Sequence, residues 1–311
     1  MAGIPQTTNY QIISKRRLWY MISVVVMIPG LIFLFMGGLK LGIDFTGGSM
    51  FELAFKSPPK ISELRTELSK IDKETFSDAQ VSELKDASGN TITTIRSKPV
   101  DNKEQVKIFK DFKSKFGEFE QIRVEVVGPT VGSELQSKAI MSTLIVSAMI
   151  VLYLTFRFSL DYAVCAVICL LHDVFTVLGI FAIMGHFLHV EVDSLFVTAI
   201  LTVAGFSVHD TIVTFDRIRE NAGDMGRGKT FADVANDSIN QTITRSLNTS
   251  LTTMFPLFCL TVFGGSTIKY FSLAMLLGII IGTYSSIFVA SPLMVTWREI
   301  ANPSSRKRAT A

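Results

Sequence analysis

Charge is scarce in this 311-residue chain: 18% of its residues are Asp, Glu, Lys or Arg, against about a quarter in an ordinary soluble protein. The deficit is uneven. Residues 50 to 130 are rich in charge, whereas 139 to 215 and 246 to 296 are nearly free of it. That excludes a wholly soluble globule and points to a membrane protein with one soluble insert. Cysteine is scarce too: Cys165, Cys169 and Cys259 all lie in apolar runs. Neither a disulfide framework nor a metal site is implied, and Cys165 and Cys169, at helical spacing, read as packing residues. The insert contains no histidine and no cysteine, and its acids are scattered among lysines. No catalytic constellation is expected there, and the chain is not expected to be an enzyme or to carry a cofactor.

Long apolar runs are what the chain has instead. A helix needs about 20 apolar residues to cross the hydrocarbon core, and six such segments are expected near 18–38, 137–156, 163–184, 194–216, 241–263 and 270–295. The first is too long for a removable signal peptide and lacks a small-residue cleavage pattern, so it reads as a signal anchor. Lysine and arginine in the short flanks set the orientation. Lys15, Arg16 and Arg17 precede the first span and Arg157 follows the second. Arg217, Arg219, Arg227 and Lys229 fill the 4–5 loop, and Arg298, Arg306, Lys307 and Arg308 follow the sixth. The short loops 185–193 and 264–269 hold only Lys269. Both termini are therefore expected in the cytoplasm, with Trp19 and Trp297 at that interface. The expected organisation is a cytoplasmic N-terminus and first span (1–43), an extracytoplasmic domain (44–133), spans two to six (134–296) and a basic cytoplasmic tail (297–311).

Within the insert, residues 49–55 (SMFELAF) alternate like a strand, and Ile61, Leu64, Leu68 and Ile71 form one helical stripe. Runs 78–84 and 91–96 read as strands joined across Ser88-Gly89-Asn90. Asp101 with Glu104 looks like a capping box opening a helix lined by Val106, Phe109, Phe112 and Phe116, with Gly117 after its end. A last strand alternates Ile122, Val124 and Val126. The order β-α-β-β-α-β suggests an α+β ferredoxin-like domain, read as a binding or docking module with a solvated charged face.

A charge at the centre of a span costs at least ~2.5–3.5 kcal/mol by insertion scales, so ionisable residues there are functional candidates. Asp173, Asp210 and Arg245 stand out. Asp210 lies about six residues before the end of span four and Arg245 a similar distance into span five, so at 1.5 Å per residue both sit roughly 9 Å deep from the same side. Ser207, Asp210, Thr214 and Arg217 share one face of span four; Thr242, Arg245, Thr249 and Thr252, with Asn248 beside them, share one face of span five. A depth-matched Asp210–Arg245 pair across a polar seam is the expectation, either coupling an ion or as a static salt bridge that fixes register. Asp173, with His172 beside it and Thr176 one turn on, either extends the seam or bonds a neighbouring helix. His186 and His189 are expected in a solvated loop.

Three stretches carry a resemblance. Leu41-Gly42-Ile43-Asp44-Phe45-Thr46-Gly47-Gly48 resembles the signature of the Sec translocase accessory subunits, the SecD/SecF family. Val203 to Val213 with Phe215 to Asn221, and Ile239 to Thr253, are similar to the fourth and fifth helices of its SecF branch, with His209 standing where Asn is common. The resemblance covers essentially the whole chain. It implies a six-helix half of the resistance-nodulation-division type in the bacterial cytoplasmic (inner) membrane. It further implies partnership with SecD and the SecYEG translocon, with YajC and, indirectly, SecA, in contact with translocating preproteins and membrane lipid and with no nucleic acid. Asp210 and Arg245 match the family's ion-coupling acid and its basic partner, and the transmembrane ion gradient, protons or sodium, would drive export. Gly42, Asp44, Gly47 and Gly48 form either a hinge between span and domain or a plain tight connection. On residues alone, a small-molecule exporter half and a non-coupling assembly scaffold remain rivals. An intramembrane aspartyl protease is disfavoured because Phe206-Ser207-Val208-His209 precedes Asp210 where such a family has Gly-x-Gly.

Overall fold

The computed structural model describes residues 10–76, 79–85, 91–223 and 229–301. After a 3₁₀ turn at Ile13–Lys15, helix α1 spans Arg16–Gly37, and a single turn, α2, follows at Ile43–Thr46. The soluble insert then runs β1 Gly48–Phe55, α3 Ile61–Ile71, α4 Lys73–Phe76, β2 Gln80–Lys85, β3 Thr91–Ser97, α5 Asn102–Phe116 and β4 Phe119–Val127. Helices α6 Pro129–Arg157, α7 Leu160–Leu188, α8 Ser194–Gly223, α9 Phe231–Phe263 and α10 Ser266–Ser285 complete the chain, with a π-helical segment at Ser286–Ala290 and α11 at Ser291–Ala301. Among the described residues, six helical stretches are long and apolar enough to cross a membrane, as expected.

The break in the sixth stretch has a local cause. Pro292 has no N–H to give the carbonyl four residues back, and its ring crowds that carbonyl, so the preceding turn widens. The Ser291 hydroxyl donates to the Ser286 carbonyl at 3.0 Å across the widened turn. Helices α7, α8 and α10 form the interior, through residues such as Cys169, Val177, Ala199, Val203, Phe215, Ala274 and Ile279. Helices α1 and α6 stand at the rim, with Val25, Phe35, Leu144 and Phe156 exposed. Where α1 crosses α7 the backbones touch: a Cβ on Gly30 would lie 2.7 Å from the Gly179 Cα.

In the insert the sheet order is β2-β3-β1-β4, with every pairing antiparallel. Phe51, Leu53, Phe55 and Ile95 meet Leu64, Leu68, Ile108 and Phe112 in a closed core. The Asp101–Glu104 capping box forms, and Gly117 takes a positive φ at the end of α5. Three sequence expectations shift. Val106 is 67% exposed; at 100° per residue it lies about 140° from the stripe set by Ile108 and Phe112. Ile122 and Val126 are each 44% exposed, because β4 is an edge strand and the ladder skips Ile122 between Gln121 and Arg123. The Ser88-Gly89-Asn90 turn, like Arg227 and most of the 297–311 tail, lies outside the described residues.

The glycine crossing sets a stability test. Gly30→Ala or Gly179→Ala forces α1 and α7 apart and is expected to cost about 1–3 kcal/mol, read as earlier thermal unfolding in detergent. Gly205→Ala, where an added methyl meets nothing within 4 Å, should show no such loss.

Candidate functional site

Helix α7 carries Asp173 into the interior, where it is 0% exposed. Oδ2 accepts from the Ser207 hydroxyl of α8 at 2.5 Å and from the Ser285 hydroxyl of α10 at 2.6 Å. His172 Nδ1 lies 2.8 Å from Oδ1. Thr176 turns away and donates to the His172 carbonyl. Asp173 therefore bonds two neighbouring helices. One turn along α8 from Ser207, Asp210 is 8% exposed beside Thr283 of α10. Thr283 shares a 2.6 Å hydrogen bond with Ser250 of α9. The polar seam thus joins α7, α8 and α10, with α9 reaching it only through a small hydroxyl.

The expected Asp210–Arg245 contact is not made. Among the described residues Arg245 enters no ion pair, and it is exposed together with Asn248, Thr249 and Thr252. Helix α9 carries two polar stripes, and the one turned inward is Thr242, Ser246 and Ser250. Small hydroxyls allow a close helix approach that a guanidinium forbids, so the bulky stripe faces outward. Thr242 and Thr214 are buried but donate to backbone carbonyls of their own helices, Thr214 to that of Asp210. Arg217, at the far end of α8, bonds Gln241 and Glu220. His186 is not in a loop: it lies in α7 against Phe33 and Phe187. His189 ends that helix at φ 55°.

The glycine-rich motif makes a tight, bonded junction. Gly42 N donates to the Val192 carbonyl and Val192 N to the Lys40 carbonyl, both at 2.8 Å. Asp44 Oδ2 accepts from Ser194 N at 3.0 Å and Ser194 Oγ at 2.5 Å, placing a carboxylate at the N-terminus of α8 where the helix dipole favours one. Gly47 and Gly48 have φ of 72° and 139°, and a Cβ on Gly48 would meet the Ser97 carbonyl at 2.8 Å.

A second buried polar group went unread in the sequence. Glu52, 5% exposed, lies on the helix-free face of the sheet and accepts from Ser266 Oγ at 2.6 Å, at the start of α10. Arg96 on the same face pairs with Glu191 from the α7–α8 connection, and Lys40 stands 3.8 Å from that carboxylate. Burial holds the Arg96 guanidinium below its ordinary range, with nearby Glu52 opposing. The signal was present: Met50 and Ala54 share the phase of Glu52 in SMFELAF, the pattern of a strand covered on both faces.

Residues 107–300 match the family model for the protein export membrane protein SecD/SecF, C-terminal, and residues 32–59 match that for the SecD/SecF GG motif. The chain is 43% identical over 297 residues to the protein translocase subunit SecF of Thermobaculum terrenum, covering 92% of this chain and 93% of that one. It is 37% identical over 300 residues to that of Sebaldella termitidis, covering 96% of each. It is similar to the crystal structure of SecDF, a translocon-associated membrane protein, from Thermus, with TM-score 0.84 and 30% identity over 96% of this chain. A second structure, SecDF in a super-membrane-facing form, gives TM-score 0.69 and 29% identity. This chain covers 40% and 41% of those two SecDF chains.

Asp193 caps α8 through a 2.9 Å bond from Phe196 N. Burial raises its carboxyl above the ordinary aspartate range, and the charge of Asp44 adds to this. A raised folded-state pKa gives a contribution present in full below the unfolded value and lost as pH climbs through the folded one. Asp193→Asn keeps the cap acceptor without the charge. It should unfold at higher temperature than the parent at pH 8, with the gap closing near about pH 4; melting in detergent across that range checks it.

Proposed function

This chain belongs to the SecF branch of the SecD/SecF family of protein-export membrane proteins, and from that premise we infer that it couples a transmembrane ion gradient to export through a SecYEG channel, in complex with SecD. The observation that carries the reading is Asp210, seated inside the helix bundle among hydroxyls with no ion-pair partner among the described residues. A carboxyl so placed accepts hydrogen bonds when ionised and donates one when protonated, so taking up a cation changes which neighbours it can hold. One charge moved through the membrane field yields ~2.3 kcal/mol per 100 mV, enough to bias a two-state element about fifty-fold.

In the coupling cycle Asp210 works against Thr283, while Arg245 stays on the outward side of α9. Hydrocarbon cannot satisfy Arg245 and Asn248 on the exposed side of α9, so that stripe is the seat for SecD helices. Both termini are cytoplasmic, and the α+β domain, ferredoxin-like in its β-α-β-β-α-β order, lies outside the inner membrane, where preproteins emerge after SecA has driven them in; YajC completes the assembly. The bonds Asp44–Ser194 and Glu52–Ser266 tie this domain to the first residues of α8 and α10. Movement of the helices beside Asp210 is thereby delivered to it.

Asp210→Asn is expected to co-purify with SecD as the parent does, yet to lose gradient-dependent stimulation of preprotein import into inverted vesicles. Arg245→Ala should lose SecD binding and stimulation together. Undiminished stimulation in Asp210→Asn would reject ion coupling and leave the scaffold reading. Imposing a pH gradient and then a sodium gradient on the parent identifies the ion.

A further inference from the structure

Among the described residues Asp173 is the most deeply buried acid, and the cycle above makes no use of it. Its surroundings form a built site. Two hydroxyls from two different helices converge on one carboxylate oxygen at 2.5 and 2.6 Å, and a ring nitrogen serves the other at 2.8 Å. Gly282 leaves the space: a Cβ there would lie 3.3 Å from the Ser207 Cα and 3.8 Å from Asp173 Oδ2. The titratable groups within a turn of its contact residues are His172 and Cys169 on α7, His209 and Asp210 on α8 and Tyr284 on α10.

We propose that Asp173, Ser207 and Ser285 form a second proton-binding site, distinct from Asp210, whose occupancy sets the position of α10. The ligand chemistry favours a proton over a metal cation. Hard cations take six or more oxygens, whereas the side chains here supply one carboxylate, two hydroxyls and a nitrogen. The exchange balances within the groups present. Ionised, Asp173 accepts from both hydroxyls. Protonated on Oδ2, it becomes a donor to Ser285 Oγ, and the hydroxyl proton of Ser285 turns to the Gly282 carbonyl, which already lies 3.1 Å away. The site thus holds α10 through an acceptor contact in one state and through a donor contact in the other.

The output follows from what stands on each side of Ser285. Immediately after it the helix is π-helical for five residues, Ser286–Ala290. A π turn carries one extra residue, and moving or removing it shifts the helix by about 1.5 Å and 100°. At its other end α10 begins at Ser266, bonded to Glu52 of the sheet. Helix α10 is therefore a rod between Asp173 and the α+β domain, with a segment of adjustable register where the rod meets the proton site.

The proposal rests on the ion-coupling reading, and the test separates the two. The full chain in complex with SecD, in lipid, is followed by infrared difference spectroscopy of its protonated carboxyl bands across pH, for the parent, Asp173→Asn, Asp210→Asn and Ser285→Ala. A pH-dependent carboxyl band is expected that disappears in Asp173→Asn, persists in Asp210→Asn, and moves by about one pH unit, a tenfold change in proton affinity, in Ser285→Ala. The pH profile of export stimulation should move with it. Should Asp173→Asn fail to assemble, the Ser285→Ala shift decides alone. A band set unchanged by Asp173→Asn, or a Ser285→Ala variant with the parent's midpoint, overturns the second site whatever Asp210 does. If the Asp173 band titrates while Asp210→Asn keeps full stimulation, the site stands and the coupling role of Asp210 falls.

Discussion

A carboxylate inside a helix bundle at membrane depth must be surrounded by donors, because no water is on hand to supply them, and the way α7, α8 and α10 approach one another follows from that requirement. Ser207 and Ser285 reach Asp173 only because the helices stand close, and they stand close only because the residues between them are small. Gly282 faces Ser207 and Gly278 faces Val203. On the opposite side of α7, Gly179 meets Gly30 of α1. Small residues at the contacts and hydroxyls at the acids are one device, since packing without a hydrophobic drive between helices depends on close backbone approach.

The same economy of contacts holds where the sheet meets the helices. Its apolar face is closed by α3 and α5, so the other face has to be covered by something else. The α7–α8 connection and the start of α10 cover it, bringing Glu191 to Arg96 and Ser266 to Glu52. With Asp44 of α2 on the N-terminus of α8, the insert and its entry turn are bonded to the starts of both α8 and α10. The backbone at the start of the glycine motif is itself pinned to Val192 on either side of Leu41.

Features that depend on a single periodicity were legible in the sequence. The six spans, the strand and helix order of the insert and the capping box at Asp101 each follow from local pattern. Features that depend on choosing between two faces were not. Helix α9 presents Thr242-Ser246-Ser250 on one side and Arg245-Thr249-Thr252 on another, and both read as polar seams until packing selects the smaller. Glu52 went unread because its strand alternates, and alternation cannot say what covers the polar phase. The π segment ahead of Pro292 has no periodicity of its own to announce it, and the Ser285–Asp173 bond beside it joins residues over a hundred positions apart.

The separation of Asp210 from Arg245 bears on how a switch of this kind can work. A fully buried ion pair gains Coulomb energy but loses hydration on both sides, and breaking it strands an uncompensated charge, typically at a cost of about 3–5 kcal/mol. Such a pair resists cycling. An acid held by hydroxyls behaves differently, because a hydroxyl donates or accepts by rotating about one bond. Proton uptake then exchanges one hydrogen bond for another of similar strength, and the seam is never left unsatisfied. In the proposed coupling, the inner seam changes protonation by such rotations while Arg245 stays on the outward stripe of α9.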